Sequence, residues 1–245
     1  MTEPTDTPHP AARADAPRSA VIIGAGNGLG AALARRLARE GFQVALVARD
    51  VDKLAGVVAE TGARAIAADA QVPQSVEAVF AEVDRTLGTP ELVVFNAAMR
   101  YRGPIEVLDP TDVMDAYAIG AFGGFLAAQA AARRMLPRGS GSIFFTGATA
   151  SVKSMPHSVP FAMAKFALRA LAQGLARELG PRGIHVAHFI LDGGLSSSWA
   201  TAGESGPADK WLNPDAVAES YLSVHRQHRS AWTAELELRP WVEKF

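Results

Sequence analysis

Short apolar runs alternate with segments of helical periodicity along most of this chain. Each run is four to six residues long and apolar enough for a strand buried on both faces. The runs are residues 20–23, 44–47, 64–67, 92–95, 142–145 and 185–190. Residues 231–238 alternate between apolar and polar and could form a last, edge strand. The pattern predicts a single α/β domain with a doubly wound parallel sheet of about seven strands.

The stretches between these runs have helical spacing. Leu29, Leu33 and Leu37 recur every four residues until Gly41, so the first helix follows the first strand directly. The most apolar stretch, residues 116–132, is rich in Ala and Gly and is short for a membrane span. It predicts a packed helix that a partner subunit could contact.

Composition and charge narrow the class of protein. The chain has 245 residues, of which 49% are hydrophobic, enough for one large domain with a buried core. A formal net charge of −1 gives no electrostatic basis for binding nucleic acid or an anionic membrane. The absence of cysteine excludes disulfides and thiol chemistry and fits the cytoplasm. Residues 1–18 have no large apolar residue after Met1, which predicts a solvated tail before the domain at 19–245.

A glycine-rich segment joins the first strand to the first helix. It contains Gly24, Asn27, Gly28, Leu29 and Gly30. Glycines at this spacing permit a tight turn and a close approach of the backbone to a pyrophosphate, which the helix N-terminus attracts. Glycine-rich turns can also be purely structural. Because this one follows a strand and opens a helix, it predicts the dinucleotide-binding loop of a Rossmann-type fold.

The end of the second strand indicates which dinucleotide would bind. An acid there would accept hydrogen bonds from the ribose 2′-hydroxyl of NAD, whereas an arginine favours the 2′-phosphate of NADP. The chain has Ala48 followed by Arg49, so NADP(H) is favoured over NAD(H). Pairing of Arg49 with Asp50 or Asp52 is the alternative, and it would leave the cofactor choice open.

These features resemble the short-chain dehydrogenase/reductases of the classical size class, across residues 19–240. The glycines of the loop match the family's TGxxxGxG motif, with Ile23 in place of the threonine. The resemblance implies further cofactor contacts after three other strands. Asp69 and Ala70 would meet the adenine, Asn96, Ala97 and Ala98 would line the nicotinamide ribose, and Gly193 would shape the nicotinamide pocket, although Asp192 replaces the usual proline.

The resemblance breaks at the catalytic positions. The family uses Asn, Ser, Tyr and Lys, and the matching residues here are Gly120, Ala148, Phe161 and Lys165. Phe161 and Lys165 are four residues apart and share one helix face, but phenylalanine has no proton to give. Lys165 would bind the nicotinamide ribose hydroxyls, unless it is an exposed surface lysine. The segment 232–241 resembles a divergent subgroup that also has Phe at this position.

Several side chains could take over part of the missing chemistry. Thr149 and Ser151 stand near the lost serine and could orient a carbonyl oxygen. Tyr101 could lie over the substrate, and His157 could exchange a proton with it, although solvent exposure is the simpler interpretation for that histidine. Tyr117 is expected to pack in the core.

Three other polar residues have weak functional interpretations. His185 and His188 lie on opposite faces of a predicted strand, so a shared metal site is not expected. Asp192 could be a general base in a non-redox reaction, or it could cap the following loop.

Two functional hypotheses remain open. The first is an NADP(H)-dependent oxidoreductase acting on a small carbonyl, alcohol or activated double bond, with atypical proton delivery. The second is a non-redox protein on the same scaffold, either a nucleotide-sensing module or a lyase or isomerase with a structural cofactor. In both, a loop at 196–211 would cover the substrate, with Trp199 or Trp211 as an apolar wall. The family resemblance implies a homodimer or homotetramer through the helices at 116–132 and 161–179.

Overall fold

The computed structural model describes residues 18–196 and 209–243, and seven strands of this part form one sheet. The strands are β1 Ser19–Ile23, β2 Gln43–Ala48, β3 Arg64–Ala67, β4 Leu92–Phe95, β5 Gly141–Thr146, β6 Ile184–Leu191 and β7 Glu235–Leu238. Their order across the sheet is β3-β2-β1-β4-β5-β6-β7, and every neighbouring pair is parallel. The predicted doubly wound parallel sheet is confirmed. The order reverses between β1 and β4, where a ligand cleft is expected at the carboxyl ends.

The last strand is shorter than its sequence pattern predicts. Alternation extends over 231–238, but Arg229–Ala231 form a turn of 3-10 helix. Only Glu235–Leu238 pair with β6. The prediction of an edge strand is therefore right, and its predicted beginning is wrong.

Seven α-helices of the described residues connect the strands. They are α1 Leu29–Arg39, α2 Ala55–Thr61, α3 Pro73–Thr86, α4 Pro110–Tyr117, α5 Gly123–Met135, α6 Val159–Leu179 and α7 Pro214–His225. Leu29, Leu33 and Leu37 are all buried, as the four-residue spacing predicts. In these residues no helix is both long enough and apolar enough to cross a membrane.

The helix predicted at 116–132 is not a regular α-helix. A π-helical segment, Ala118–Phe122, separates α4 from α5. Gly120 lies in this segment, and a Cβ there would be 3.0 Å from the Cβ of Ala164 in α6. A side chain at 120 would therefore push α6 away. π-helical turns of this kind are frequent beside functional sites.

Helices pack on both faces of the sheet. Residues of α1 and α7 form one core with Ile22 of β1, and residues of α3, α5 and α6 form the other core with Val21 and Ile23. Successive residues of β1 thus enter opposite cores. Burial on both faces explains why β1, β2, β4, β5 and β6 have continuous apolar sequences. The run at 64–67 was expected to be buried in the same way, but β3 lies at the edge of the sheet and is only partly buried.

The amino end of the sheet corrects one predicted boundary. Residues 1–17 of the predicted tail lie outside the described part of the chain. Arg18 was included in that tail, but its guanidinium binds both carboxylate oxygens of Glu91, at 3.0 and 2.9 Å. Arg18 therefore belongs to the folded structure.

Candidate functional site

The loop after β1 is fixed against the loop after β4 at the point where the strand order reverses. Gly24 has φ +83°, and a Cβ there would lie 2.3 Å from the backbone nitrogen of Ala97. The side-chain amide of Asn96 donates to the carbonyl oxygen of Gly24 at 2.9 Å. Only glycine fits position 24, because the backbone must turn with positive φ and the next loop approaches so closely.

The rest of the glycine-rich loop leads into the N-terminus of α1. Leu29 and Gly30 are buried, and Asn27 is exposed at the turn before the helix. A Cβ at Gly30 would be 2.9 Å from the Cα of Ala25, so this glycine allows the loop to fold onto the helix. The side chain of Leu29 packs in the core, and only its backbone is available to a ligand. Backbone N–H groups at a helix N-terminus suit a pyrophosphate.

A first cavity of about 370 Å³ extends from this loop toward β2 and β3. It brings together predicted cofactor residues from four loops: Gly24, Arg49, Asp69, Ala70, Asn96, Ala97 and Ala98. The carboxylate of Asp69 accepts hydrogen bonds from the backbone and side-chain nitrogens of Gln71, which fixes its position. These residues lie where the resemblance requires the adenine half of a dinucleotide.

Arg49 is exposed at the edge of this cavity. The neighbouring Asp50 is engaged elsewhere, because its carboxylate pairs with Lys53 at 3.0 Å. Within residues 18–196 and 209–243, Arg49 forms no ion pair of its own. The alternative in which Arg49 pairs with Asp50 or Asp52 is therefore wrong, and the guanidinium is available to a ligand.

A second cavity of about 430 Å³ adjoins the first and shares Asn96 and Ala98 with it. Its lining includes Ala148 after β5, Phe161 and Lys165 of α6, and Gly193 after β6, which lie in three different segments. Gly193 has φ +155°, and a Cβ there would lie 2.7 Å from Cδ of Pro240. A side chain at 193 would displace the chain that follows β7. The two cavities form one continuous cleft along the carboxyl ends of the strands.

Lys165 is the buried cation of this cleft. Its side chain is 3% exposed, and Nζ donates to the carbonyl oxygen of Thr146 at 2.7 Å. Burial, followed by the positive charge of Arg100, lowers the pKa of Lys165 to about 7. The alternative of an exposed surface lysine is wrong. A buried ammonium with a nearly neutral pKa is typical of functional sites rather than of surfaces.

Phe161 lies beside this lysine in the wall of the second cavity. It is buried and packs against Ala148, Ala150 and Ala162. Nζ of Lys165 is 5.6 Å from the centre of its ring. The ring thus presents an apolar surface where a hydroxyl of a tyrosine would approach a substrate.

Sequence reasoning missed Arg100, which also lines the second cavity. Its guanidinium carbon stands 4.4 Å from the centre of the Phe161 ring. Arg100 lies in the loop after β4, four residues beyond Asn96. Its place after a strand at the carboxyl edge of a parallel sheet is the sequence signal that could have identified it.

The hydroxyls predicted to replace the lost serine are engaged in the wall behind the cavity. Thr149 donates its hydroxyl hydrogen to Asp192. The hydroxyl oxygen of Ser151 accepts a hydrogen bond from the backbone nitrogen of Ala148 at 3.1 Å, and it lies 3.3 Å from Nε2 of His188. Neither residue is part of the cavity lining. Ser151 therefore supports the backbone at 148 and Thr149 is held by Asp192, and that either hydroxyl orients a substrate stays a prediction.

The other substitute residues also lie away from the second cavity. The hydroxyl of Tyr101 donates to Asp115 at 2.8 Å, and this hydrogen bond raises the pKa of the tyrosine. His157 is exposed in the turn before α6, as the simpler interpretation predicts. Tyr117 is 41% exposed, so the prediction that it packs in the core is wrong.

The remaining polar candidates have structural roles. Asp192 is buried and pairs with Arg239 at 2.5 Å, so it neither caps a loop nor stands ready as a base. His185 stacks on Trp232 with 4.7 Å between ring centres, on the opposite face of β6 from His188.

Only the ends of the predicted substrate loop can be described. Trp211 is half-buried near Lys210, and Leu195 reaches the second cavity. Trp199 lies outside the described residues.

Known proteins share this architecture and sequence. A family model described as short chain dehydrogenase matches residues 18–200. A solved short-chain dehydrogenase from Rhodopseudomonas palustris is 37% identical, with a TM-score of 0.80, and the match covers 91% of this chain and 99% of that one. Gluconate 5-dehydrogenase of Gluconobacter oxydans is 31% identical over 173 residues, or 68% of this chain and 67% of that protein.

A third similar protein was solved with a nicotinamide dinucleotide derivative. It is an alcohol dehydrogenase from the archaeon Thermococcus sibiricus, in complex with 5-hydroxy-NADP. It is 26% identical with a TM-score of 0.81, and the match covers 93% of this chain and 98% of that one. The chain therefore belongs to the short-chain dehydrogenase family and is an NAD(P)-dependent oxidoreductase of that family.

Proposed function

We propose that this protein uses NADP(H) to interconvert a small carbonyl compound and its alcohol, or to reduce an activated double bond, with a proton that does not come from tyrosine. The observation that carries the proposal is the continuous cleft with Lys165 buried in its second half. A buried ammonium costs folding free energy, and a cofactor ribose beside it would give that charge hydrogen-bond acceptors.

The chain's own residues fit the two ends of the cofactor. The loop from Gly24 to Gly30 would hold the pyrophosphate, and Asn96 with Lys165 would hold the nicotinamide ribose. Preference for NADP(H) over NAD(H) is supported by Arg49, whose guanidinium faces the first cavity and forms no ion pair in the described part of the chain. The similar alcohol dehydrogenase solved with 5-hydroxy-NADP is consistent with this preference.

The catalytic group here is reduced to Lys165, with Ala148 and Phe161 at the positions of the family's serine and tyrosine. When bound, NADPH supplies a hydride. Reduction of a carbonyl then requires one proton at its oxygen, and the product is an alcohol. Lys165 is suited to deliver that proton, because its pKa of about 7 makes the ammonium a usable acid near neutrality. Its positive charge would also stabilise the developing alkoxide.

A nucleotide titration followed by a turnover assay tests this proposal. Pure protein should bind NADPH more tightly than NADH, and an Arg49→Gln variant should lose that preference. A panel of aldehydes and ketones should then be reduced with stoichiometric loss of NADPH absorbance. Tight binding without any hydride exchange would favour the non-redox alternative, for which the comparisons give no support. No uptake of either nucleotide would overturn the proposal.

We also propose a homodimer or homotetramer. The supporting observation is a set of large apolar side chains that are 40–64% exposed on the α4–α5 segment and on α6: Met114, Tyr117, Phe122, Phe125, Met163 and Phe166. Light scattering at micromolar concentration should give at least twice the chain mass, and Phe125→Glu should lower it. A monomeric wild type would contradict this.

A cytoplasmic location is part of the proposal and is supported by the absence of cysteine.

A further inference from the structure

Three polar side chains contact one another behind the wall of the second cavity. They are Ser151 of the turn after β5, His188 of β6 and Glu235 of β7, and together they are called the polar network below. Oγ of Ser151 lies 3.3 Å from Nε2 of His188, and Nδ1 of the same ring lies 3.3 Å from Oε2 of Glu235. Ser151 and His188 are fully buried. Buried polar groups are costly, and the reduction as proposed uses none of the three.

The polar network is not a nucleophilic site. Serine, histidine and glutamate in this order are the groups of a nucleophilic triad. A nucleophile must reach its substrate, but Ser151 is 0% exposed and lines neither cavity of the cleft. Its hydroxyl oxygen instead accepts a hydrogen bond from the backbone nitrogen of Ala148 at 3.1 Å. The geometry therefore indicates a role toward the backbone at 148.

The hydrogen positions in the polar network follow from its acceptors. Because Oγ of Ser151 accepts from the amide of Ala148, its own hydrogen is available to Nε2 of His188. Burial lowers the pKa of His188 although Glu235 acts in the opposite direction, so the ring is neutral and carries one hydrogen. We assign that hydrogen to Nδ1, which faces the carboxylate of Glu235. Nδ1 forms no regular hydrogen bond with the described residues, so this contact is electrostatic.

The polar network supports the backbone that lines the substrate half of the cleft. Ser151 holds both backbone groups of Ala148, because its own backbone nitrogen donates to the carbonyl oxygen of Ala148 at 2.8 Å. The preceding residue, Gly147, packs so closely on His188 that a Cβ would lie 2.4 Å from Nε2. Gly147 and Ala148 both line the second cavity. The position of this wall is therefore set by Ser151 and His188.

Arg169 connects the polar network to the helix that carries Lys165. It lies four residues after Lys165 in α6, and its guanidinium donates to both carboxylate oxygens of Glu235, at 2.7 and 2.6 Å. It also donates to the carbonyl oxygen of Ser151 at 3.4 Å. Two sides of the second cavity, the backbone at 147–148 and α6, are thus held by the same carboxylate.

We infer that His188 and Glu235 are positioning residues for the reduction, and that they fix the wall at Ala148 relative to α6. The inference rests on the proposed function, because the second cavity is taken as the substrate half. Position 148 has no hydroxyl to bind a carbonyl oxygen, so the placement of the substrate depends on the shape of this wall. A misplacement of about 1 Å can lower a rate about 100-fold. No residue of the polar network lines the first cavity, so cofactor affinity should not depend on it.

Hydrogen exchange of the Ala148 amide tests the polar network without a substrate. In Ser151→Ala this amide loses its acceptor, and in His188→Leu the Ser151 hydroxyl loses the group that orients it. NMR on the nucleotide-free protein should show exchange at 148 at least about 10-fold faster in both variants than in wild type. Amides of β1 should keep their rates, which shows that the variants are folded.

Steady-state kinetics test the effect on reduction, with the carbonyl compound that the wild type reduces fastest. His188→Leu and Glu235→Gln should each lower kcat about 10- to 100-fold. The affinity for NADPH should stay within about 3-fold of wild type, a split that a general loss of stability would not produce. His188→Gln should recover part of the loss, because its amide oxygen can accept the hydrogen of the Ser151 hydroxyl.

A double variant tests whether the polar network acts as one unit. Ser151→Ala combined with Glu235→Gln should lower kcat by no more than about 3-fold beyond the larger single loss, because residues of one network are not independent. If the two losses multiply, Ser151 and Glu235 act separately and the inference fails.

The matched control is Glu82→Gln. Glu82 is 29% exposed, against 30% for Glu235, and it also pairs with arginines, but it lines neither cavity of the cleft. Both kcat and the exchange rate at 148 should stay within about 3-fold of wild type in this variant. A loss of kcat equal to that of Glu235→Gln would overturn the inference, because it would indicate a diffuse charge effect.

Failure of this inference and failure of the proposed function give different results. If the wild type reduces carbonyl compounds and the variants of the polar network keep its kcat, the inference fails and the oxidoreductase proposal stands. If exchange at 148 rises in the variants and the wild type consumes no NADPH with any carbonyl compound, the oxidoreductase proposal fails and the assignment of the polar network to this wall stands.

Discussion

A buried charged side chain lies at each end of the sheet, and the two have different surroundings. At the amino end, burial alone would raise the pKa of Glu91, but hydrogen bonds from His225 and Arg18 lower it to about 2. At the carboxyl end, burial lowers the pKa of Lys165 to about 7, and no carboxylate of the described residues pairs with it. Glu91 has two charged or titratable partners, whereas the hydrogen bond of Lys165 to another described residue is to the backbone carbonyl oxygen of Thr146.

The difference separates stability from function. A buried charge with its partners in place can stabilise the fold. A buried charge without a counter-ion lowers the free energy of unfolding. Such a cost is maintained where a ligand supplies the missing partner. The ion pairs of Glu91 at the amino end therefore stabilise the fold. Lys165 at the carboxyl end provides a binding site and lowers the free energy of unfolding.

Replacing Lys165 is expected to have the largest effect, with opposite signs for activity and stability. Lys165→Met should lower turnover about 100- to 1000-fold, because it removes the cation and the proton donor together. At pH 6 it should raise the free energy of unfolding by about 1–3 kcal/mol, since a methionine of similar volume needs no hydration. Urea unfolding monitored by circular dichroism and a steady-state assay measure the two effects.

The stability gain in Lys165→Met has a definite pH dependence. The folded-state pKa of about 7 lies below the usual value of 10.5, so the wild type sheds its buried charge as the pH rises through this interval. The gain should be full below pH 7 and should vanish by about pH 10.5. A variant that is less stable than wild type at pH 6 would contradict the assignment of the amino and carboxyl ends to different roles.

Restoring a phenol should act on chemistry alone. Phe161→Tyr should raise the rate of reduction about 10- to 100-fold, because it adds a proton donor within the second cavity. The affinity for NADPH should not change. Phe166→Tyr, on an exposed position of the same helix, is the matched control and should leave the rate unaltered. A rate that falls in Phe161→Tyr would indicate that the ring at 161 has been adapted to a different route of proton transfer.

At the amino end, the expected effect is on stability alone. Glu91→Gln should lower the free energy of unfolding by about 1–3 kcal/mol at pH 7 and leave turnover unchanged, because it leaves Arg18 and His225 without their anion. The depressed pKa contributes stability above about pH 4.5, and that contribution is lost as the pH falls to about 2. The difference from wild type should disappear over this interval.

A surface variant provides the scale for that measurement. Glu60 pairs with Arg35 on the exposed side of α1, and Glu60→Gln should lower the free energy of unfolding far less than Glu91→Gln does. If both substitutions change the free energy of unfolding equally, the pairing of Glu91 stabilises the fold no more than a surface ion pair does.

Sequence patterns predicted the features that depend on local spacing. The strands, α1 and the glycine-rich loop follow from apolar runs and from residues whose geometry is constrained by their neighbours in the chain. Side-chain direction within a loop is not encoded in that way. Thr149 follows Ala148 directly, yet a 3-10 turn carries its hydroxyl to Asp192. Arg100 reaches the cavity only because the loop after β4 folds over Phe161.

The smallest effect is expected for the pKa of Lys165 when Arg100 is replaced. The charged or titratable groups that act on Lys165 or respond to it are Arg100, from the loop after β4, and His188 on β6. Burial lowers the pKa of His188 to about 4, so this histidine is neutral near pH 7 and Arg100 is the main neighbour. Arg100→Gln should therefore raise the pKa of Lys165, because it removes a like charge that lowers this pKa.

This shift can be followed without an assay. Affinity for NADPH should fall as the pH rises through the pKa of Lys165, because the neutral amine donates weaker hydrogen bonds to the ribose. The midpoint of that fall should move to higher pH in Arg100→Gln and stay in place in Arg102→Gln. A midpoint that is identical in all three proteins would mean that Arg100 and Lys165 are not coupled, and the two cations would then have to be explained separately.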